Sequence, residues 1–222
     1  MNIEPWSITM AQQQLEATEP EVGVGWDEYP AEPDLPPVLL HARDAFVQNG
    51  YHGTTVRDLA KRLGQTVPAI YYHYENKQAV LVALLNLGID DLLDRCRKAE
   101  AQAPDSPTER LSTLVRCVVL YVANRREMAF LDSEIRSLEP ENRAAYILKR
   151  DRMQAMVTNA VTDGMERREF LPGDPHAHAR AIITMLRGIA NWYQQSGHLS
   201  PEDLCEQYVT YALRLVGHQP PE

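Results

Sequence analysis

Arg57, Lys61, Arg62 and Lys77 place four cations around a short run, residues 66–73, that carries almost no charge of its own. Cations on the flanks suit phosphate oxygens. A tip made of Thr66, Val67, Pro68, Ala69, Tyr71, Tyr72 and His73 suits apolar contact with thymine methyls in a DNA groove. Such a tip works only if short, rigid elements hold it out. Thr55 is placed to cap a first helix through the amide of Asp58, whose acidity also favours the positive helix end. Val56, Leu59, Ala60 and Leu63 give that helix an inward face. Gly64 then permits a tight corner, Thr66 stands where a second helix would be capped, and Pro68 falls in a first turn that needs no amide. Helix, glycine turn and helix make a helix-turn-helix, whose second member can lie in the major groove.

Residues 55–84 resemble the DNA-binding domain of the TetR family of bacterial transcriptional repressors. The resemblance is carried by Thr-Val-Arg-Asp-Leu-Ala from Thr55 to Ala60, by Gly64, by Ile70-Tyr71-Tyr72-His73-Tyr74, and by Asn76-Lys77 opening a long apolar helix. It implies that Thr55, Tyr71, His73 and Lys77 hold phosphates, while Arg57, Val67, Pro68, Ala69 and Tyr72 face bases. Val67 departs from the pattern, since many members of that family place a lysine or another polar residue there.

Charge is partitioned along the 222-residue chain, whose formal total is −9. Residues 1–33 hold seven acids and no Lys or Arg; residues 34–77 hold five bases against four acids; residues 78–222 hold seventeen bases against twenty acids. Acidity therefore lies away from the candidate DNA surface, as repulsion from phosphate demands. Residues 1–33 are also broken by Pro5, Pro20, Pro30 and Pro33, which predicts a mobile arm. Trp6, Val22, Val24, Trp26 and Tyr29 suggest that part of it docks on the body or on a partner subunit. Cys96, Cys117 and Cys205 have no metal-ligand spacing and read as buried free thiols of a reducing cytosol. No signal peptide and no apolar stretch of membrane-spanning length is visible, so a cytoplasmic location is expected.

Helical periodicity runs through the rest, and no alternating strand pattern competes with it. Pro36-Pro37 opens a helix that carries Val38, Leu39, Ala42, Phe46 and Val47 to a stop at Asn49-Gly50, with Tyr51 expected to pack on the three-helix core. A helix from Lys77 to about Ala99 is apolar almost all round near its middle, as a buried lever would be. Further helices are expected over about 108–123, 125–138, 140–168, 174–196 and 201–216. The fold class is all-α: an acidic arm over 1–33, a three-helix helix-turn-helix domain over 34–77, and a helical ligand-binding and dimerisation bundle over 78–222, with about nine helices.

The body has its own resemblance. Lys149-Arg150-Asp151-Arg152, the stretch from Gly164-Met165 through Phe170 to Asp174, and Asn191-Trp192-Tyr193 through Pro201 look like the carboxy-terminal body of regulators that answer to fatty-acyl or steroid-derived coenzyme A thioesters. Many of those carry arginines around the Trp-Tyr pair, where this chain has Asn191 and Gln194. An acyl thioester needs an apolar slot and cations for its phosphates. Met128, Phe130, Leu131, Met153, Met156, Val157, Ile183, Met185, Leu186 and Trp192 are candidates for the slot; Arg143, Arg150, Arg152 and Arg187 are candidates for the phosphates. The same stripe would equally build a core.

Ala181, Ile182, Met185, Gly188, Ile189 and Trp192, with Leu204, Tyr208, Tyr211, Ala212 and Leu215, form a candidate seam for a homodimer that would present two heads to a near-palindromic operator. His176 and His178 point to different sides of a helix and make no metal pair, and no cofactor motif or catalytic constellation is present, so no enzyme is expected. Two other readings stay open. One is a regulator of cationic, drug-like compounds, using Glu127, Asp132, Glu134 and Asp163. The other is a helical ligand carrier that keeps the helix-turn-helix as scaffold.

Overall fold

The computed structural model describes residues 25–31 and 33–218, which form nine α-helices and one 3₁₀ turn. The head comprises α1 (Pro37–Gly53), α2 (Val56–Leu63) and α3 (Val67–His73). The body comprises α4 (Lys77–Gln102), α5 (Pro107–Asn124), α6 (Arg126–Leu131), the 3₁₀ turn (Asp132–Ser137), α7 (Pro140–Glu166), α8 (Pro175–Trp192) and α9 (Pro201–Leu215).

Local chemistry accounts for most boundaries. Thr55 and Asp58 exchange bonds in a capping box, and Gly64 ends α2 at φ 64°, a left-handed turn that suits a residue without Cβ. Asn76 caps α4 through the amide of Ala79 at 2.8 Å, and Ser200 with Asp203 builds a second capping box for α9. Proline occupies the first turn of α1, α3, α5, α7, α8 and α9, where its missing N–H leaves no bond unmade.

Three expected boundaries differ. The helix expected over 125–138 stops at Leu131 and continues as the 3₁₀ turn, because Asp132 and Glu134 are drawn into bonds with distant elements. The helix expected to reach 196 ends at Trp192. There Tyr193 turns inward to 2% exposure and its hydroxyl donates to the Leu199 carbonyl at 3.2 Å. The chain beyond Asn49 resumes helical geometry as far as Gly53, with Gly50 alone breaking it at φ 71°. Thr66 precedes α3 in extended conformation, but its hydroxyl makes no capping bond.

The core runs continuously from head to body. In the head, Leu39, Ala42, Phe46, Leu59 and Ile70 are buried together, and Tyr51 packs there as expected, its ring 5.5 Å from that of Phe46. In the body, α5 is the central element, packed on α4, α7, α8 and α9, with Leu111, Leu114, Val115 and Val119 fully buried. At Gly88 the two central helices meet closely: the Tyr121 hydroxyl donates to the Gly88 carbonyl at 2.9 Å, and a Cβ there would stand 3.2 Å from that oxygen.

Of the arm, residues 1–24 and 32 lie outside the described residues, so the expectations for Trp6, Val22 and Val24 do too. The part described rests on the body. Arg95 donates to the carbonyls of Gly25, Trp26 and Glu28, Arg125 donates to that of Pro30, and the Tyr29 ring lies 4.0 Å from the Arg95 guanidinium. The Trp26 indole N–H reaches Gln102 at 3.1 Å.

Candidate nucleic-acid interface and body cavity

Ile70 anchors α3 at 1% exposure, so the remainder of the helix must face outward. Tyr72 is 84% and Tyr71 48% exposed, the most accessible aromatic pair of the head. Thr66, Pro68 and His73 are exposed as well, while Val67 and Ala69 are half-buried beside them. Arg57 and Lys61 are exposed on α2 with no ion-pair partner among the described residues, and Arg62 bonds Gln48 at 2.8 Å. Thr55 is exposed, but its hydroxyl proton is committed to Asp58 at 2.7 Å. Those bonds hold the Asp58 carboxyl below the usual range.

Lys77 corrects an expectation. Instead of reaching outward for phosphate, its ammonium donates to the carbonyls of Tyr51 and Thr54, each at 2.8 Å, and lies 4.1 Å above the Tyr51 ring. Burial lowers its pKa. It ties the start of α4 to the end of α1, because helix entry at Asn76 directs the side chain back over the head.

A cavity of about 320 Å³ lies in the body, within the range of small-molecule sites. Leu85, Gly88, Ile89 and Leu92 of α4 form one wall, and Val118, Tyr121 and Val122 of α5 a second. Met128, Ala129 and Asp132 close one end, with Tyr146, Arg150 and Met153 of α7 and Ile183 and Arg187 of α8 opposite. Ile147 and Asp151, both exposed, mark where it reaches solvent. Met128, Arg150, Met153, Ile183 and Arg187 were expected here. Leu131 and Val157 are instead core residues at 1% exposure. Met156, Met185 and Trp192 do not line the cavity. On α7 the positions 146, 150 and 153 share one helical face, which Val157 continues one turn further, past the end of the cavity and into the core, while Met156 lies off that face. On α8 the pair 183 and 187 shares a face that 185 does not. Tyr121, Tyr146 and the α4 wall escaped sequence reasoning. The only hint was the all-round apolar character of α4.

Asp132 is the polar centre of the cavity. Tyr146 donates its hydroxyl to Asp132 at 3.0 Å, Arg187 bonds the other oxygen, and the Arg150 Nε lies 3.8 Å away. Burial pushes the carboxyl above its usual value, against the pull of Arg150 and Tyr146.

The expected dimer seam also needs correction. Ile182, Ile189 and Leu204 are fully buried within the chain's own core, and Tyr208 is 8% exposed. They face α5 and α7, which the one-dimensional pattern does not distinguish from a partner subunit. What α8 and α9 leave outside includes Trp192, Tyr211 and the open space above Gly188, with Met185 and Leu215 half-buried. Among the described residues there is no group of three or more His, Cys, Asp or Glu able to hold a metal ion, and no helix long and apolar enough to cross a membrane.

A projecting helix-turn-helix joined by one long helix to an all-helical body with an internal cavity defines a DNA-binding regulator. Residues 38–84 match the family of bacterial regulatory proteins of the tetR family, and residues 104–216, half of the chain, match the tetracyclin repressor-like C-terminal domain. The chain belongs to the TetR family. It is similar to the HTH-type transcriptional repressor KstR2 of Mycobacterium tuberculosis, 26% identical over 179 residues that cover 79% of this chain and 89% of the relative. Among solved structures, a tetR-family regulatory protein from Rhodococcus RHA1 superposes with a TM-score of 0.78 at 29% identity, covering 83% of this chain and 97% of that one. AibR in complex with isovaleryl coenzyme A and operator DNA gives a TM-score of 0.71 at 23% identity, covering 82% and 97%.

Proposed function

We propose that the protein is a cytoplasmic, non-enzymatic repressor that binds a near-palindromic operator as a homodimer and releases it when a small apolar effector enters the body cavity. Tyr72, Tyr71, Thr66, Pro68 and His73 would meet the major groove, with Val67 and Ala69 beside them. Arg57, which the resemblance puts on bases, would join Lys61 on phosphates, since both are exposed on α2 rather than on α3. The dimer seam would use the outer faces of α8 and α9, at Met185, Gly188, Trp192, Tyr211 and Leu215.

The observation that carries this reading is the 3₁₀ turn. It begins in the cavity at Asp132. Two residues on, Glu134 accepts the backbone N–H of Tyr51 at 3.2 Å, and the Ser137 carbonyl accepts Gln78 Nε2 at 3.1 Å. One short segment therefore touches both the effector space and the corner of the head. An effector that prefers a different placement of this turn would tilt α4 and take the two heads out of register with the groove.

AibR, the neighbour solved with isovaleryl coenzyme A, supports an acyl coenzyme A thioester, whose acyl part would enter the cavity while the nucleotide, too bulky for about 320 Å³, stays outside. A cationic effector is disfavoured, because Glu127, Glu134 and Asp163 do not line the cavity and Asp132 is already bonded by Arg187, with Arg150 3.8 Å away. A ligand carrier would have no use for an anchored but outward-facing α3. Fluorescence anisotropy with the DNA upstream of the gene tests the reading. The ligand-free protein should bind with two protomers per site and an affinity that falls steeply with salt; no binding at low salt would end it.

A further inference from the structure

Arg150 lines the cavity, yet its guanidinium makes no hydrogen bond among the described residues; its nearest anion, Asp132, is 3.8 Å from Nε. Arg187 lines the same space and bonds Asp132 directly. Two guanidinium groups thus stand beside one partly buried carboxylate, while Asp151, the other acid of the lining, is exposed at the solvent edge. A half-buried guanidinium with five free donors is poorly solvated, and a planar carboxylate is the group that satisfies such a fork best. The rest of the lining is mostly apolar, with Leu85, Ile89, Val118 and Met128; its further polar side chains are Gln154 and the Tyr121 and Tyr146 hydroxyls, which already donate to Gly88 and Asp132.

We propose that the cavity selects an apolar molecule bearing a carboxylate, which binds Arg150 and competes with Asp132 for Arg187. This rests on the reading of the cavity as the effector site. It differs from a phosphate-binding role for these arginines, because both line a space too small for a nucleotide. Exchange for a ligand carboxylate trades one charge-assisted bond of Arg187 for another, and Asp132, 25% exposed at its side chain, keeps the Tyr146 hydroxyl and access to solvent. Once Arg187 leaves, only the Tyr146 hydroxyl still bonds Asp132, so the first residue of the turn that reaches Tyr51 loses one of its two anchors. The carboxylate can come from a free acid or from the far end of a dicarboxylic acyl thioester; the chemistry met inside the cavity is the same.

Calorimetric titration of the full chain with four probes tests this independently of DNA: decanoate, decanoamide, decanoyl coenzyme A and the coenzyme A monothioester of decanedioic acid. At least one carboxylate-bearing probe should bind about tenfold or more tighter than its counterpart lacking that carboxylate, and which one does identifies the source. Arg150→Met, which breaks no hydrogen bond of the fold, should abolish that preference. Asp132→Asn should strengthen carboxylate binding by about tenfold, since it removes the internal competitor. A purely structural Asp132 would give weaker or unchanged binding, and that result overturns the exchange. Equal affinity for decanoate and decanoamide together with equal affinity for the two thioesters, or no binding of any probe, overturns the carboxylate site. Failure of the regulator reading would show separately, as absence of operator binding by the ligand-free chain.

Discussion

The tip of α3 and the cavity of the body are both surfaces of use, but they are assembled over different distances in the chain. The tip is built from residues 55–77, whose corner is set by Thr55, Gly64 and Pro68, each acting on its own neighbours. The cavity draws on five helices and on Asp132, whose partners Tyr146, Arg150 and Arg187 lie on two other elements. A site made locally can be recognised from spacing. A site made across the fold depends on which face of each helix turns inward.

That contrast breaks most visibly if the head is disarmed. Arg57→Ala combined with Tyr72→Ala should weaken operator binding by about 100-fold, from two contacts of about 1–3 kcal/mol each, with calorimetric ligand binding unchanged. If ligand binding fell too, the two regions would not be separable. The converse variant, Ile183→Trp, fills the cavity. It should weaken effector binding by about tenfold or more while operator affinity of the ligand-free protein stays within about twofold. A smaller effect sharpens the boundary between them. Lys77→Met should cost about 1–2 kcal/mol in denaturant unfolding, because two carbonyls of the α1–α2 corner lose their donor. It should leave the salt dependence of operator binding alone, whereas Arg57→Ala should reduce that slope by about 1. A reduced slope for Lys77→Met would return that residue to the phosphate backbone.

Most of the head was legible in the sequence for physical reasons. Gly64 takes the left-handed conformation its position demands, Thr55 and Asp58 close a capping box from three residues apart, and Ile70 is the single inward residue of α3. Within the head, failures came where a side chain had more than one possible partner. Lys77 chose two carbonyls over solvent, and Thr66 left its cap unmade. In the body, Met128, Arg150, Met153 and Arg187 reached the cavity, while Leu131 and Val157, of the same chemical kind, went to the core. Ile182, Ile189 and Leu204 read as a seam because a helix face that packs on its own chain has the same periodicity as one that packs on a copy.

The amino-acid sequence by itself determined the all-helical class, the corner at Gly64 and the nearly uncharged tip, because these follow from interactions between residues a few positions apart. Only the tertiary structure decided that Asp132 would meet two arginines, that a 3₁₀ turn would bridge the cavity and Tyr51, and that part of the acidic arm would lie along Arg95 and Arg125. Those contacts join residues 14–95 positions apart, and no local spacing encodes them.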